Sequence, residues 1–334
     1  MSAHGLDRLC NGSNIAASVR QVYSRLYFHA YSIWLFTFSD LKTIVIPQTS
    51  FGVLSALSKT ATTAATGTTS SLADEPIDIV RRIPLVLFWV WLNLLPFEIN
   101  NQKQPQGIAE DKLNKPWRTM PSNRWSERQA TNAMRFFYLL AVSVSWYMGG
   151  IRWSLSMLFL GIWYNNMGGS DVNPFIRNLI NALGYTSFAA GALEIAMNEP
   201  LRWDWAFATD LPHAERPPLE AWIMTIMAVI LTTVHTQDME DQEGDAMRGR
   251  RSLPLEIGDG PSRWVTTVFM LFWGAFCPLL WRCGWVGYVC SITLAYTVAL
   301  RSPLYRTVEA DKTTFKIWNL WVVCLYTLPL ISRY

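Results

Sequence analysis

The chain has 334 residues, of which 51% are hydrophobic and only 16% are charged, and its net charge is +3. Soluble globular domains carry about 25% charged residues, so the composition excludes an ordinary soluble protein and predicts a membrane protein. The small net charge gives no sign of a nucleic-acid partner, and no obligate protein partner is evident.

The predicted fold is all-α and crosses the membrane several times. Residues 1–40 are predicted to form a cytosolic N-terminal segment, with an interfacial helix near 22–36, and residues 41–334 to form the transmembrane domain. A spanning helix needs ~20 mostly apolar residues. Nine apolar runs are candidates: roughly 41–58, 83–99, 132–149, 151–166, 175–197, 218–236, 264–281, 284–300 and 316–331. Several are short, so tilted helices or local thinning of the bilayer are expected.

The loops between these runs differ in basic residues, and the difference predicts the orientation in the membrane. With a cytosolic N-terminus, the cytosolic loops contain most of the basic side chains: Lys103, Lys112, Lys115, Arg118, Arg124, Arg128, Arg177, Arg248, Arg250, Arg251, Arg263, Arg301, Arg306, Lys312 and Lys316. The opposite loops contain fewer, and they include a Thr/Ser-rich stretch at 58–76 that we expect to be a flexible loop. The charged segments at 97–125 and 235–254 are therefore predicted to face the cytosol.

The segment HTQDMEDQEGDAMRGRRSLP (235–254) places five carboxylates directly after an apolar run, with three arginines behind them. On a helix continuing from the sixth run, Asp238, Asp241 and Asp245 have the spacing i, i+3, i+7 and project from one face, where like charges repel. A solvated helix cap would explain an ordinary run of charges. Ionisable groups at membrane depth instead usually line a cavity, and carboxylate ligands suit Mg²⁺ that bridges to a phosphate.

A second charged segment, FEINNQKQPQGIAEDKLNKPWRTMPSNRW (97–125), follows the second apolar run. Its polar and charged residues include, in order, Asn101, Gln102, Glu110, Asp111, Lys115, Arg118 and Arg124. Acids followed by bases thus occur in both segments, and arginines beside a metal site are suited to binding phosphate. The two segments are predicted to form the two halves of one site.

The pair of segments resembles the two Asp-rich motifs of the UbiA superfamily of intramembrane prenyltransferases. The second segment is close to the superfamily pattern D-x-x-D-x-x-G-D…G-R-x-x-L-P. The first departs from N-D-x-x-D-x-x-x-D, because Gln102 stands where an aspartate is expected and Pro105 interrupts the helical register. Its form N-Q…E-D-x-x-N-K-P-W-R, together with residues 163–191, resembles a fungal branch that includes UbiA-type membrane-bound sesquiterpene cyclases.

The resemblance implies about nine helices around a central cavity that opens toward the cytosol, where Mg²⁺ binds a prenyl diphosphate. It makes four carboxylates the candidate catalytic residues: Asp111, Asp238, Asp241 and Asp245. The candidate metal ligands are these four residues and Glu110. The candidate diphosphate ligands are Asn101, Lys115, Arg118, Arg248 and Arg251. Basic residues near helix ends also serve topology and bind anionic lipid headgroups, which is the alternative for each of them.

Three functions remain open for such a chain. In a terpene cyclase, the allylic cation left by the departing diphosphate attacks its own double bonds. In a prenyltransferase, an aromatic or polyketide acceptor captures the cation. In a membrane carrier or channel, the carboxylates would line an ion path, but the paired acidic and basic segments argue against this. We expect a cyclase that converts farnesyl diphosphate to a sesquiterpene in secondary metabolism, in the endoplasmic reticulum membrane with its site facing the cytosol.

Overall fold

The structure, a computed structural model, describes residues 3–58, 76–203 and 217–332, with side chains from residue 18 onward. These parts consist of helices and short connections without a β-strand, so the all-α prediction is confirmed. The loop predicted at 58–76 lies outside the described residues except for its two ends. The helices are, in chain order, α1 (Ala3–Thr37), α2 (Ile46–Leu57), α3 (Pro76–Arg81), α4 (Ile83–Gln102), α5 (Pro105–Asn114), α6 (Glu127–Met148), α7 (Ile151–Asn166), α8 (Pro174–Met197), α9 (Leu219–Thr233), α10 (Gln242–Arg248), α11 (Leu253–Ile257), α12 (Asp259–Leu280), α13 (Trp285–Leu304) and α14 (Val308–Thr327).

The predicted apolar runs all coincide with helical segments, but fewer of them have the dimensions of a full membrane span. Among the described residues, four segments are long and apolar enough to cross a bilayer: Ile83–Gln102, Pro174–Met197, Leu219–Met239 and Asp259–Leu280. The other runs form helices that are shorter or more polar; α2 has 12 residues and α7 has 16. The count of about nine spans therefore stays a prediction.

A tight turn between α4 and α5 positions the first charged segment. α4 ends at Gln102 and α5 begins at Pro105, so the predicted interruption of the helix by proline is confirmed. Proline suits the first position of a helix, because the N–H that it lacks would have no intrahelical partner there. A Cβ at Gly107 would lie 2.6 Å from the carbonyl oxygen of Asn101, so only glycine lets α5 approach the end of α4 this closely.

The second charged segment does not continue α9, so the prediction of one acidic helix face is wrong. α9 ends at Thr233, and Val234–Met239 form a 3₁₀ turn before α10. Hydroxyl groups bond to backbone carbonyls here: Thr233 donates to Val229 O and Thr236 to Thr233 O, each at 2.7 Å. Such bonds bend helices, and β-branched residues favour helix less than unbranched ones. The three aspartates lie in the 3₁₀ turn, at its junction with α10 and within α10, respectively: Asp238, Asp241 and Asp245.

The C-terminal end of α1 packs against α4. Phe36 is fully buried, and its carbonyl oxygen accepts a hydrogen bond from Gln102 Nε2 at 2.7 Å. Thr37 Oγ1 accepts a hydrogen bond from Trp91 Nε1 at 3.1 Å. Ser39 and Asp40, which lie just after the end of α1, line the central cavity. The predicted boundary at residue 40, between the N-terminal segment and the transmembrane domain, therefore lies among the residues that line the cavity.

The cavity has a volume of about 200 Å³ and lies between α4, α7, α8, the 3₁₀ turn and α14. Its lining on α8 begins with Arg177 in the first turn and ends with Phe188, about three turns further along the helix. The charged and amide side chains of its wall include Asp40, Glu98, Asn101, Glu110, Lys115, Arg118, Arg177, Asp238, Asp241 and Arg250. The apolar part of its wall includes Leu94, Phe97, Met157, Leu160, Ile180, Phe188 and Phe315. The charged side chains gather where α4 ends and α8 begins, which we call the polar end. The opposite end is mostly apolar but also includes Asn93 and Tyr185.

Candidate active site

Arg118 organises the acids at the N-terminal side of the polar end. It is buried, and its guanidinium donates to both oxygens of Asp111 at 3.0 and 3.2 Å and to Ser39 Oγ at 2.6 Å. The same guanidinium lies 3.4 Å from Asp40 Oδ2. Burial raises the pKa of the Asp111 carboxyl above its ordinary value, although Arg118 opposes the shift. Arg118 therefore supplies the positive charge that lets these carboxylates lie near each other.

Arg177 holds the first aspartate of the second segment. Its Nη2 donates to Asp238 Oδ1 at 2.8 Å, and its Nη1 donates to the Tyr164 hydroxyl at 2.6 Å. Arg177 and Asp238 are both almost fully buried. Ion pairs in such an environment are costly to break, because either partner alone would be an uncompensated charge. Tyr164 and Arg177 thus fix the position of Asp238 in the cavity wall.

Arg250 joins the two charged segments directly. Its Nη1 donates to Glu110 Oε1 at 2.8 Å and to Asp245 Oδ1 at 2.9 Å, so one guanidinium nitrogen connects α5 with α10. Burial alone would raise the pKa of the Asp245 carboxyl, but the guanidinium groups of Arg177 and Arg250 hold it below its ordinary value. Asp245 is therefore anionic at neutral pH.

Two further basic side chains link the segments. Arg248 Nη1 donates to Asn101 Oδ1 at 3.0 Å and to Glu110 Oε2 at 3.2 Å. Lys115 Nζ donates to Asp241 Oδ2 at 3.4 Å. Burial lowers the pKa of Lys115, but Asp241 and other nearby carboxylates outweigh it, so the pKa of Lys115 lies above its ordinary value. Lys115 is thus a cation at the cavity wall, as the sequence predicts for a diphosphate ligand.

The structure brings together most of the residues predicted from the sequence. They form four groups of contacts, and each group includes at least one residue of the cavity wall. The groups are Asp111 with Arg118, Lys115 with Asp241, Asp238 with Arg177, and Asn101, Glu110, Asp245 and Arg248 with Arg250. Arg251 is the exception, because its side chain is not among those that line the cavity and belongs to none of these groups. Its side chain is 56% exposed and pairs with Glu256. Gly249 ends α10 in the left-handed conformation, with a φ of 80°, and the chain that follows turns Arg250 inward and Arg251 outward.

Several residues of the site were not predicted as ligands. They are Asp40, Glu98, Tyr164, Asp171, Arg177 and Arg250. Asp171 lies 3.5 Å from Arg250 Nε. For Arg177, the sequence indicates only a role in topology. Glu98 carried a usable signal, because an acid at the end of an apolar run is costly in a membrane and usually functional.

The carboxylate oxygens of the site could bind a hard cation such as Mg²⁺ only if a bound diphosphate and water supplied the rest of its coordination. Within the described residues, no three Asp, Glu, His or Cys side chains are arranged to hold a metal ion. Most of the predicted acids face a basic group instead. Asp238 Oδ2 and Asp245 Oδ2 are buried without a hydrogen-bond partner in the described parts. Mg²⁺ typically binds one or two carboxylates together with phosphate oxygens and water, so these atoms fit an ion shared with a diphosphate.

Comparison with known proteins decides the family. The sequence profile of the UbiA prenyltransferase family matches residues 104–322 of this chain. The chain belongs to the UbiA prenyltransferase family. The predicted resemblance is therefore confirmed.

Relatives of this UbiA-family chain include terpene synthases. Fumagillin beta-trans-bergamotene synthase of Aspergillus fumigatus is 28% identical over 250 residues, which cover 73% of this chain and 79% of the relative. Somaliensene A/B synthase of Streptomyces somaliensis is 27% identical over 333 residues, which cover 94% of this chain and 95% of the relative. The chain is thus a UbiA-type membrane enzyme, of the kind that includes terpene synthases and prenyltransferases.

A solved structure supports the fold of the UbiA-family chain. It is a UbiA homolog from Archaeoglobus fulgidus bound to GPP and Mg²⁺, with 14% identity and a TM-score of 0.51. The match covers 87% of this chain and 99% of that chain. At this identity, the likeness shows that the two share the UbiA fold.

Proposed function

We propose that this protein is a Mg²⁺-dependent terpene cyclase that ionises a prenyl diphosphate, with farnesyl diphosphate as its substrate, and cyclises the resulting cation to a sesquiterpene. The observation that supports this most is the meeting of both charged segments at the polar end of a cavity whose other end is mostly apolar. The terpene synthases among the relatives support cyclisation over transfer to an acceptor.

The basic side chains at the polar end suit the diphosphate. Lys115 and Arg250 line the cavity, and Arg248 lies against Asn101 and Glu110 beside it. The Nε–H groups of four buried arginines make no hydrogen bond among the described residues: Arg118, Arg177, Arg248 and Arg250. Those of Arg248 and Arg250 lie 3.6 and 3.5 Å from Asp171 Oδ1. Buried donors normally have partners, so unused cationic donors beside a cavity favour an anionic ligand there. A diphosphate would satisfy them.

The carboxylates would hold the metal ion. Asp238 and Asp241 line the cavity, and the Oδ2 atoms of Asp238 and Asp245 have no hydrogen-bond partner in the described residues. Mg²⁺ bound there would act as a Lewis acid on the leaving diphosphate. Lys115 and Arg250 would stabilise the same developing charge as hydrogen-bond donors. Asp111 and Glu110 would act on the metal only after their contacts with Arg118 and Arg250 rearrange.

The apolar end suits the hydrocarbon chain. Phe97, Phe188 and Phe315 line it together with aliphatic side chains. An apolar wall keeps water from the cation, and aromatic faces stabilise positive charge. The protein would lie in the endoplasmic reticulum membrane with the polar end toward the cytosol, because the basic loops predict that orientation.

Diphosphate release tests the proposed reaction. Purified protein given farnesyl diphosphate and Mg²⁺, without an acceptor, should release diphosphate over many turnovers, and EDTA should reduce the release to the level of protein-free controls. Adding excess Mg²⁺ should restore it. Geranyl and geranylgeranyl diphosphate should be compared, because the cavity volume does not set the chain length. Release that begins only after a phenolic or polyketide acceptor is added would contradict cyclisation and indicate a prenyltransferase.

A further inference from the structure

Glu98 differs from most carboxylates of the cavity in what holds it. It lies on α4, is buried and lines the cavity. Its Oε2 accepts a hydrogen bond from the amide of Gln102 at 3.0 Å. The nearest cation, Arg118, is 3.9 Å from the same oxygen and makes shorter contacts with Asp111. In the described parts of the chain, no donor bonds to Glu98 Oε1.

Gln102 explains how Glu98 is held. Its side chain is almost fully buried, and its Nε2 donates both to Glu98 and to the Phe36 carbonyl oxygen. Gln102 thus binds α4 to α1 and does not line the cavity. An aspartate at position 102 would bring a second carboxylate against Glu98 and the Phe36 carbonyl, with no proton to share. The amide at position 102 is therefore matched to the acid at position 98.

Glu98 lies where the polar and apolar parts of the cavity wall meet. On α4, the cavity is lined by Asn101 on one side of Glu98 in the chain and by Leu94 and Phe97 on the other. Four carboxylates of the charged segments are bound to basic groups: Glu110 to Arg248 and Arg250, Asp111 to Arg118, Asp238 to Arg177 and Asp241 to Lys115. Glu240 also lines the cavity and has no ion pair in the described residues, but it is the chain neighbour of the proposed metal ligand Asp241, whereas Glu98 is the chain neighbour of Phe97. Glu98 is held by an amide and has one oxygen free, so it can accept a proton without breaking a close ion pair.

We propose that Glu98 is the catalytic base that ends cyclisation, with Gln102 as its positioning residue. This role rests on the proposed cyclase function. The allylic C–O bond breaks first, and its electron pair leaves with the diphosphate. After ring closure, a C–H bond beside the cationic carbon breaks, its electron pair forms the final C=C bond, and the proton moves to Glu98. The proton then passes to water or to the departing diphosphate, which regenerates the carboxylate.

The variant Glu98→Gln tests this role by the ratio of two products. The substitution keeps an acceptor for Gln102, so the contact between the two residues is retained. Positioned bases contribute on the order of 10²–10⁴-fold to proton transfer, and water competes for a cation that is not deprotonated. The ratio of hydrocarbon to released diphosphate should therefore fall about tenfold or more relative to the wild type, with alcohols making up the difference. Diphosphate release itself should continue.

A matched control removes another buried carboxylate that is remote from the cavity lining. Glu194 on α8 bonds to Arg152 and to the backbone N–H of Leu201. Glu194→Gln should lower thermal stability and leave the product ratio at the wild-type value. An unchanged ratio in Glu98→Gln, or an equal loss of hydrocarbon and diphosphate, would overturn the role of Glu98. A wild type that makes no hydrocarbon would overturn the cyclase function and this proposal with it.

Moving the acid from position 98 to position 102 separates the structural role of the pair from the catalytic role of Glu98. Gln102→Asp should lower the melting temperature, because it places two acids together in a buried site. The double variant Glu98→Gln, Gln102→Asp should recover stability and diphosphate release, since an amide again faces an acid. Its hydrocarbon ratio should stay low, because position 102 does not line the cavity. Recovery of the hydrocarbon ratio as well would contradict Glu98 as the base.

Discussion

Arg250→Ala should both destabilise the protein and abolish diphosphate release. The side chain of Arg250 is 4% exposed and bonds to Glu110 and Asp245, so its loss leaves buried negative charge uncompensated. Breaking a buried ion pair by removing one partner costs about 3–5 kcal/mol. The substitution also removes one of the contacts between the two charged segments, and leaves those made by Arg248 and Lys115. Thermal unfolding in detergent and diphosphate release from farnesyl diphosphate measure the two effects.

Arg251→Ala is the matched control for this prediction. Arg251 follows directly in the chain but lies in an exposed ion pair with Glu256. Exposed ion pairs contribute little to stability, so both the melting temperature and the release of diphosphate should stay at wild-type values. Equal damage in the two variants would contradict the inward position of Arg250 and restore Arg251 as a candidate ligand.

Asp241→Asn should reduce turnover on the order of 10²–10³-fold with little loss of stability, the scale seen when one group that stabilises a transition state is removed. Asp241 lines the cavity, its side chain is 21% exposed, and its only charged contact in the described residues is Lys115 at 3.4 Å. An asparagine there can still accept a hydrogen bond from Lys115. The loss should therefore reflect metal and diphosphate binding.

Two further variants test whether the loss of turnover is specific to Asp241. Asp238→Asn should lose turnover and stability together, because it leaves the buried cation of Arg177 without its partner. Glu243→Gln changes an exposed acid in α10 and should have no effect on either quantity. Full turnover in Asp241→Asn, or an equal loss in Glu243→Gln, would contradict a metal site at Asp241.

The sequence predicted the features that depend on local pattern. Apolar runs marked the helices, and the repeated order of acids and bases marked two segments that do meet, through Arg250 and Lys115. The prediction from sequence failed where a break in a helix changes the direction of the chain. The Val234–Met239 turn moves the three aspartates off a single helix face. After the left-handed Gly249, Arg250 contacts the buried acids, whereas the predicted ligand Arg251 is exposed.

Other members of the site could not be assigned from spacing. Arg177 and Glu98 lie in largely apolar runs, far in the chain from the partners that give them a role. Arg177 meets Asp238 across 61 residues, and Gln102 meets Phe36 across 66. Asp40 reaches the cavity because α1 packs on α4. Contacts of this kind follow from the packing of helices and are invisible to motif spacing.

The measurement that tests the cyclase function most directly is product analysis after turnover of farnesyl diphosphate without an acceptor. Membranes that contain the protein, supplied with farnesyl diphosphate and Mg²⁺, should yield a cyclic C15 hydrocarbon by gas chromatography with mass spectrometry, in an amount equal to the diphosphate released. A cyclase needs one substrate, whereas a transferase must hold an acceptor about 3–3.5 Å from the allylic carbon. No hydrocarbon from any prenyl diphosphate, with prenylation of an added phenolic acceptor instead, would contradict the account.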